Sequence, residues 1–87
     1  MSLPRIFFDA NDGNDEYGYE LKFDQSLEDM KPIAHLLRDG LRVVIYSPGE
    51  MEMEATLKFD TERNYWLGFP VEGTLQIYPE AYGPASN

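Results

Sequence analysis

The run Glu50 to Phe59 constrains this chain more than any other part of it. Met51, Met53, Ala55, Leu57 and Phe59 fall at one parity, and Glu50, Glu52, Glu54, Thr56 and Lys58 at the other. Successive side chains of a β-strand point to opposite faces, so this order makes one apolar and one solvated face; a helical period would scatter the methionines around the axis. A strand with one buried face needs neighbours. Ser47-Pro48-Gly49-Glu50 precedes it with Pro and Gly at the centre of a type II turn, where Pro sets φ and Gly accepts positive φ. Leu41 to Tyr46, β-branched and aromatic, supplies the strand on the far side of that turn.

The same reading extends in both directions. Downstream, Tyr65 to Phe69 and Thr74 to Tyr78 are short strands separated by polar or Pro/Gly connections, making a four-strand meander. Upstream, Tyr19, Leu21 and Phe23 alternate with Glu20, Lys22 and Asp24, and Arg5 to Phe8 is the expected partner strand across the loop Asp9 to Glu16. Between them lies one helical segment. Ser26 with Asp29 three residues on has the form of a capping box, and Pro32 interrupts that helix because it lacks a donor and clashes with the preceding turn. A second short helix is expected from Pro32, with Ile33, Leu36 and Leu37 on one face and Gly40 past its end; an extended Ile33 to Leu37 is the alternative.

The sequence therefore predicts a mainly β domain over residues 1–78, ordered as two strands, a short α or 310 segment and four strands, with a flexible tail over 79–87. A meander this small is expected to form a small SH3-like barrel or a strongly curled antiparallel sheet, which leaves no long edge exposed. Leu37-x-x-Gly40-x-x-Val43-x-Ile45 is similar to the turn-into-strand step of such barrels. The Ala-Leu-Tyr-Asp-Tyr opening and tandem Trp of the peptide-binding SH3 domain are absent, and that family is not assigned.

At 87 residues the chain has room for one core, and a chain of this size buries only roughly 60–65% of its unfolded surface. Five Phe, six Tyr and one Trp supply the area that aliphatic residues alone would not. With no cysteine, a disulfide framework, a thiolate metal site and a cysteine nucleophile are all excluded. The start of the chain lacks the apolar stretch of a signal peptide and no later run has the length of a membrane span, so a cytoplasmic location is expected.

The formal charge is −9. Residues 1–30 carry eight acidic and two basic residues, which is −6 of that total. Nucleic acid and anionic membranes require clustered Lys and Arg, so neither is expected as a partner; a protein or peptide is. No catalytic motif stands out. His35 is alone and is expected to be partly packed, Ser47 lies in Ser-Pro-Gly rather than a nucleophile elbow, and no phosphate-cradling glycine loop occurs. The loop Asp9 to Glu16 is rich in oxygen ligands, but an EF-hand register from Asp9 puts Asn14 where Gly is required, so no metal or other cofactor is expected.

What remains is an acidic loop beside aromatic residues. Alternation puts Tyr65, Leu67 and Phe69 on one face and Trp66 on the other; if the core takes the first set, Trp66 and Tyr46 face solvent, and the alternative is that Trp66 covers a second small core beneath the helical segment. With Asp12, Asp15, Glu16, Tyr17, Tyr19 and Tyr78 the solvent-facing pair makes a candidate surface for a basic or proline-containing protein segment. The sequence thus points to a non-enzymatic interaction module. Two alternatives are an immunity or inhibitor-type protein capping a basic toxin or nuclease, and a small metal-dependent enzyme or subunit using the Asp9 to Glu16 loop.

Overall fold

In a computed structural model of the chain, residues 2–78 are described. In chain order they form β1 (Arg5–Phe7), β2 (Gly13–Asn14), β3 (Gly18–Leu21), α1 (Asp24–Met30), a 310 helix (Lys31–Leu36), β4 (Arg42–Ser47), β5 (Met51–Asp60), β6 (Tyr65–Pro70) and β7 (Gln76–Ile77). The six strands expected from the sequence are all present, with β2 as an addition. The protein is mainly β, built as one seven-stranded sheet in the order β1-β4-β5-β6-β3-β2, with β7 also on β5. The sheet is open, so the described residues do not form a closed barrel. The expected tail over 79–87 lies outside the described residues. No described helix is long and apolar enough to cross a membrane.

β5 is the centre of the sheet, and its parity holds: Met53, Ala55 and Leu57 are buried while Lys58 is exposed. The turn before it closes with Glu50 N donating to Ser47 O at 3.0 Å, and Gly49 takes the positive φ of 77° that the turn requires. Val43 and Ile45 of β4 lie opposite Ala55 and Met53, so both strands bury the same face. Ile6, Phe8, Leu21 and Met30 complete the core. Each such side chain contributes about 1.5–3 kcal/mol by leaving water.

Two expectations are corrected. β1 does not pair with β3. Gly13 and Gly18, both at positive φ, let the intervening loop close its own hairpin; a Cβ on Gly13 would sit 2.4 Å from Gly18 O. β1 instead pairs in parallel with β4, Ile6 opposite Ile45, and the helical segment serves as part of the crossover that a parallel pair demands. The sheet is therefore not purely antiparallel. Its curl is nevertheless strong enough to bring the rings of Phe8, just after β1, and Tyr19, in β3, to 4.9 Å although their strands lie towards opposite edges.

The second correction concerns β6. Trp66 lies opposite both Phe59 and the buried Leu21, and Gly68 opposite Leu57. Directly opposed residues share a face, so Trp66, Gly68 and Pro70 take the core side and Tyr65, Leu67 and Phe69 the outer side. At Gly68 the core side is already close-packed, since a Cβ there would stand at van der Waals contact, 3.4 Å from Ile45 Cγ2 and 3.5 Å from Ala55 Cβ, and the larger Leu67 and Phe69 lie on the outer side.

The helical segment behaves as Pro32 dictates, α1 giving way to a 310 helix. The extended alternative for Ile33 to Leu37 is not adopted before Leu37, and His35 is exposed rather than packed. Ser26 and Asp29 do not form a capping box. The helix starts earlier, at Asp24, without a side-chain cap. Both residues instead turn to the free edge of β1: Ser26 Oγ donates to Phe7 O at 2.6 Å, and Phe7 N donates to Asp29 Oδ2 at 3.0 Å. An edge strand presents unpaired peptide groups, and here two side chains of α1 take the place of a further strand.

Replacing Ser26 with alanine strands a part-buried carbonyl, which costs about 1–3 kcal/mol. Denaturant unfolding of Ser26→Ala should show that loss at an unchanged slope, and a wild-type midpoint would contradict the assigned role.

Candidate functional site

The strand directions gather one set of connections at one end of the sheet. β1 and β4 run in parallel and finish there, β5 and β3 start there, and β6 finishes there. The loop 8–17, the turn 47–50 and the excursion 71–75 are therefore neighbours. The excursion has a local cause. Proline has no N–H to continue a ladder, and after Pro70 the chain leaves β5, tethered by Val71 N to Glu54 O at 2.8 Å. Glu54 N donates to Thr74 Oγ1 at 3.0 Å, and Thr74 Oγ1 donates to Val71 O at 2.7 Å. The chain then returns as β7 beside Met51 and Glu52.

This detour opens a cleft of about 650 Å3 on the concave side of the sheet. Met51, Met53 and Pro70 line it together with Tyr19 and Asp15 from β3 and the loop before it, and with Val71, Glu72 and Leu75 from the excursion. The apolar surface continues onto β7. Ile77 is registered with Met51 and shares its face, and Leu75 and Ile77 are 51% and 58% exposed. A smaller depression of about 220 Å3 at the same end is lined by residues including Phe8, Asp9, Ser47, Pro48 and Glu50.

The charges are sorted. Six of the seven basic side chains are in ion pairs: Arg5 with Glu52, Lys22 with Glu20, Lys31 with Glu28, Arg42 with Glu54, Lys58 with Asp39 and Arg63 with Asp60. The seventh, Arg38, donates to Leu36 O. Meanwhile Asp9, Asp12, Asp15, Glu16, Glu50 and Glu72 all fall in the three connections around the cleft, which contain no Lys or Arg. Negative charge thus surrounds an apolar hollow, with Lys22 acting on Asp12 at its margin.

Of the residues singled out in the sequence, the structure places Asp15 and Tyr19 in the cleft, with Asp12, Glu16 and the exposed Tyr17 in the adjoining loop. Tyr19 OH is held by Asp15 Oδ1 at 3.3 Å, and burial followed by that carboxylate raises its pKa. Trp66 is not part of this group. It lies near the opposite end of the sheet, half-buried, its ring 5.1 Å from Phe59. Its fluorescence should be blue-shifted from that of indole in water; emission matching free tryptophan would place it outside the core.

Tyr46 and Tyr78 lie on the outer face, away from the cleft. Glu52 there is paired with Arg5, whose guanidinium sits 5.0 Å from the Tyr46 ring centroid, and the Glu52 pKa is lowered, chiefly by the hydrogen bond from Arg5. Tyr46 OH donates to Asp29 Oδ2 at 2.6 Å, the same oxygen that receives Phe7 N. The ring is also edge-on to Phe7 at 6.1 Å. Tyr46 is thereby a structural residue rather than an open contact. Sequence reasoning missed Met51, Met53, Pro70, Val71, Glu72 and Leu75 as cleft residues. The available signal was Pro70 followed by Gly73, which breaks a strand that would otherwise cover β5 to its start. Among the described residues, no three His, Asp or Glu side chains gather closely enough to hold a metal ion.

Burial, and then the bond to Asp29, push the Tyr46 hydroxyl from 10.0 up to about 12. A raised pKa means that the native state holds this proton more tightly than the unfolded chain does. The associated stability is complete below pH 10 and is lost as pH rises towards 12. Tyr46→Phe should therefore be less stable than the wild type at neutral pH and show a shallower decline between pH 10 and 12; parallel alkaline profiles would contradict this.

Comparison with known proteins returned no match: no family model, no curated protein and no solved structure matches the chain.

Proposed function

We propose that this protein is a non-enzymatic interaction module that takes up a short basic or proline-containing segment of a protein partner. The observation that carries this reading is the apolar cleft of Met51, Met53, Pro70 and Leu75 set among carboxylates with no cation between them. Apolar side chains seated in a hollow supply binding free energy. The surrounding charge selects and steers a cationic segment and rejects an acidic one. Methionine suits such a floor because its unbranched thioether adapts to different shapes, and Tyr19 offers a ring against which a proline or an aliphatic stem can lie. In this reading Asp15 and Glu72 meet the flanking Lys or Arg, while Asp12, Glu16 and Tyr17 contribute from the loop above.

The same six carboxylates favour a second reading, in which the whole acidic end caps the basic surface of a larger protein such as a toxin or nuclease. A cap would engage the loop 8–17 and the turn 47–50 as strongly as the cleft. A segment binder would engage the cleft first.

The test uses methyl and amide resonances of the labelled protein during titration with a lysine–leucine peptide and with its glutamate–leucine counterpart. The lysine peptide should shift Met51, Met53 and Leu75, lose affinity as salt rises from about 0.05 to 0.5 M, and bind about tenfold more weakly to the double variant Asp15→Lys, Glu72→Lys. Equal responses to both peptides, or none to either, would remove the proposal.

A further inference from the structure

Among the described residues, β7 is joined to the sheet on one side only. Tyr78 N donates to Glu50 O at 2.9 Å, and Glu52 lies opposite Gln76 and Met51 opposite Ile77. Hydrogen-bonded and non-bonded pairs alternate along an antiparallel ladder, so Gln76 spends its peptide groups on Glu52 and Ile77 faces Met51 as a non-bonded pair. The N–H and C=O of Ile77 are consequently directed away from β5, along the outer edge of β7.

The outer edges of β1 and β2 are partly covered. Ser26 and Asp29 occupy the peptide groups of Phe7 on β1. β2 has only two residues, and its tip is folded over by Asn14 Oδ1, which accepts from Glu16 N and Tyr17 N. β7 is as short as β2, but Leu75-Gln76-Ile77 carries no charge, no proline and no side-chain cap over its outer peptide groups among the described residues. Ile77 shares the face of Met51, and Leu75 before it lines the cleft, whose far wall is Tyr19 and Asp15.

We infer that the cleft receives its partner as an added β-strand, a basic extended segment that hydrogen-bonds to the free edge of β7 while alternate side chains enter the hollow. This rests on the reading given above for the cleft and specifies how the segment is held. Main-chain bonds to Ile77 would supply affinity, and the alternation of the guest strand would send one set of side chains to Met51 and Leu75 and the other to solvent. Charge complementarity decides the occupant. A second copy of this chain would bring another −9 against the same acidic end, whereas a Lys- or Arg-bearing strand meets Asp15 and Glu72.

The experiment uses an alternating lysine–leucine peptide and two versions of it, N-methylated on the leucines or on the lysines. N-methylation keeps the side chains and charge but removes the donors along one edge of the strand. The parent peptide should bind and slow hydrogen exchange at the Ile77 amide, and one of the two methylated versions should bind about tenfold more weakly. If both methylated versions bind like the parent and Ile77 exchange is unchanged, strand addition is overturned while the segment-binding reading of the cleft survives. If the parent itself does not bind, both fall together. Protection of Ile77 without peptide, accompanied by dimeric mass, would assign the edge to a second copy and refute the inference.

Discussion

The carboxylate of Asp29 holds this fold in its observed form. One of its oxygens receives both the Phe7 amide and the Tyr46 hydroxyl, and the other receives Gln25 Nε2 at 2.7 Å. A strand, a helix and the outer face of the sheet are fastened at that one group. With Ser26 on the Phe7 carbonyl, it ends the sheet at β1. Ions and dipoles in a partly buried setting bond more strongly than in water, and for the same reason a missing partner there is costly. β1 can remain an outer strand, paired in parallel with β4, because the outward peptide groups of Phe7 already have partners.

That arrangement decides the shape of the concave side. The sheet curls far enough for Phe8 to touch Tyr19, yet no backbone ladder joins β1 to β3. Helix α1 stands where a closing strand would stand in a barrel, and the opposite end of the concavity is left open by the detour after Pro70. Among the described residues, the fold therefore covers the Phe7 edge with side chains and leaves the outer side of β7 without a strand neighbour beside a hollow.

Electrostatics reinforces the same asymmetry. Pairs such as Arg42 with Glu54, at 2.6 Å on the sheet's outer face, are partly exposed and add little to stability. Their larger effect is on the field. By pairing with Glu20, Glu28, Asp39, Glu52, Glu54 and Asp60, the basic side chains leave a large share of the negative charge at the loops around Met51 and Leu75. A low-dielectric hollow ringed by one sign of charge focuses the resulting potential.

Much of the fold was legible in the residue order, because side-chain parity is local. The alternation from Glu50 to Phe59, the Pro48-Gly49 turn and the Pro32 break each act over a few residues, and the structure reproduces them. The acidic character of the loop from Asp12 to Glu16 was legible in the same way. Pairing was not. Whether β1 joins β3 or β4 depends on which combination buries Ile6 and satisfies its peptide groups, and Ser26 and Asp29, placed locally as a cap, proved to be the partners of Phe7 across some twenty residues. Which face of β6 turns inward follows from its register, Trp66 opposite Leu21 and Phe59 and Gly68 opposite Leu57, a pairing between strands that no local pattern records. The sequence by itself thus determined the strands, the helix break and the charge. Only the tertiary structure decided which edge is sealed, which is free and where the hollow lies, because each follows from long-range packing and hydrogen bonding rather than from local alternation.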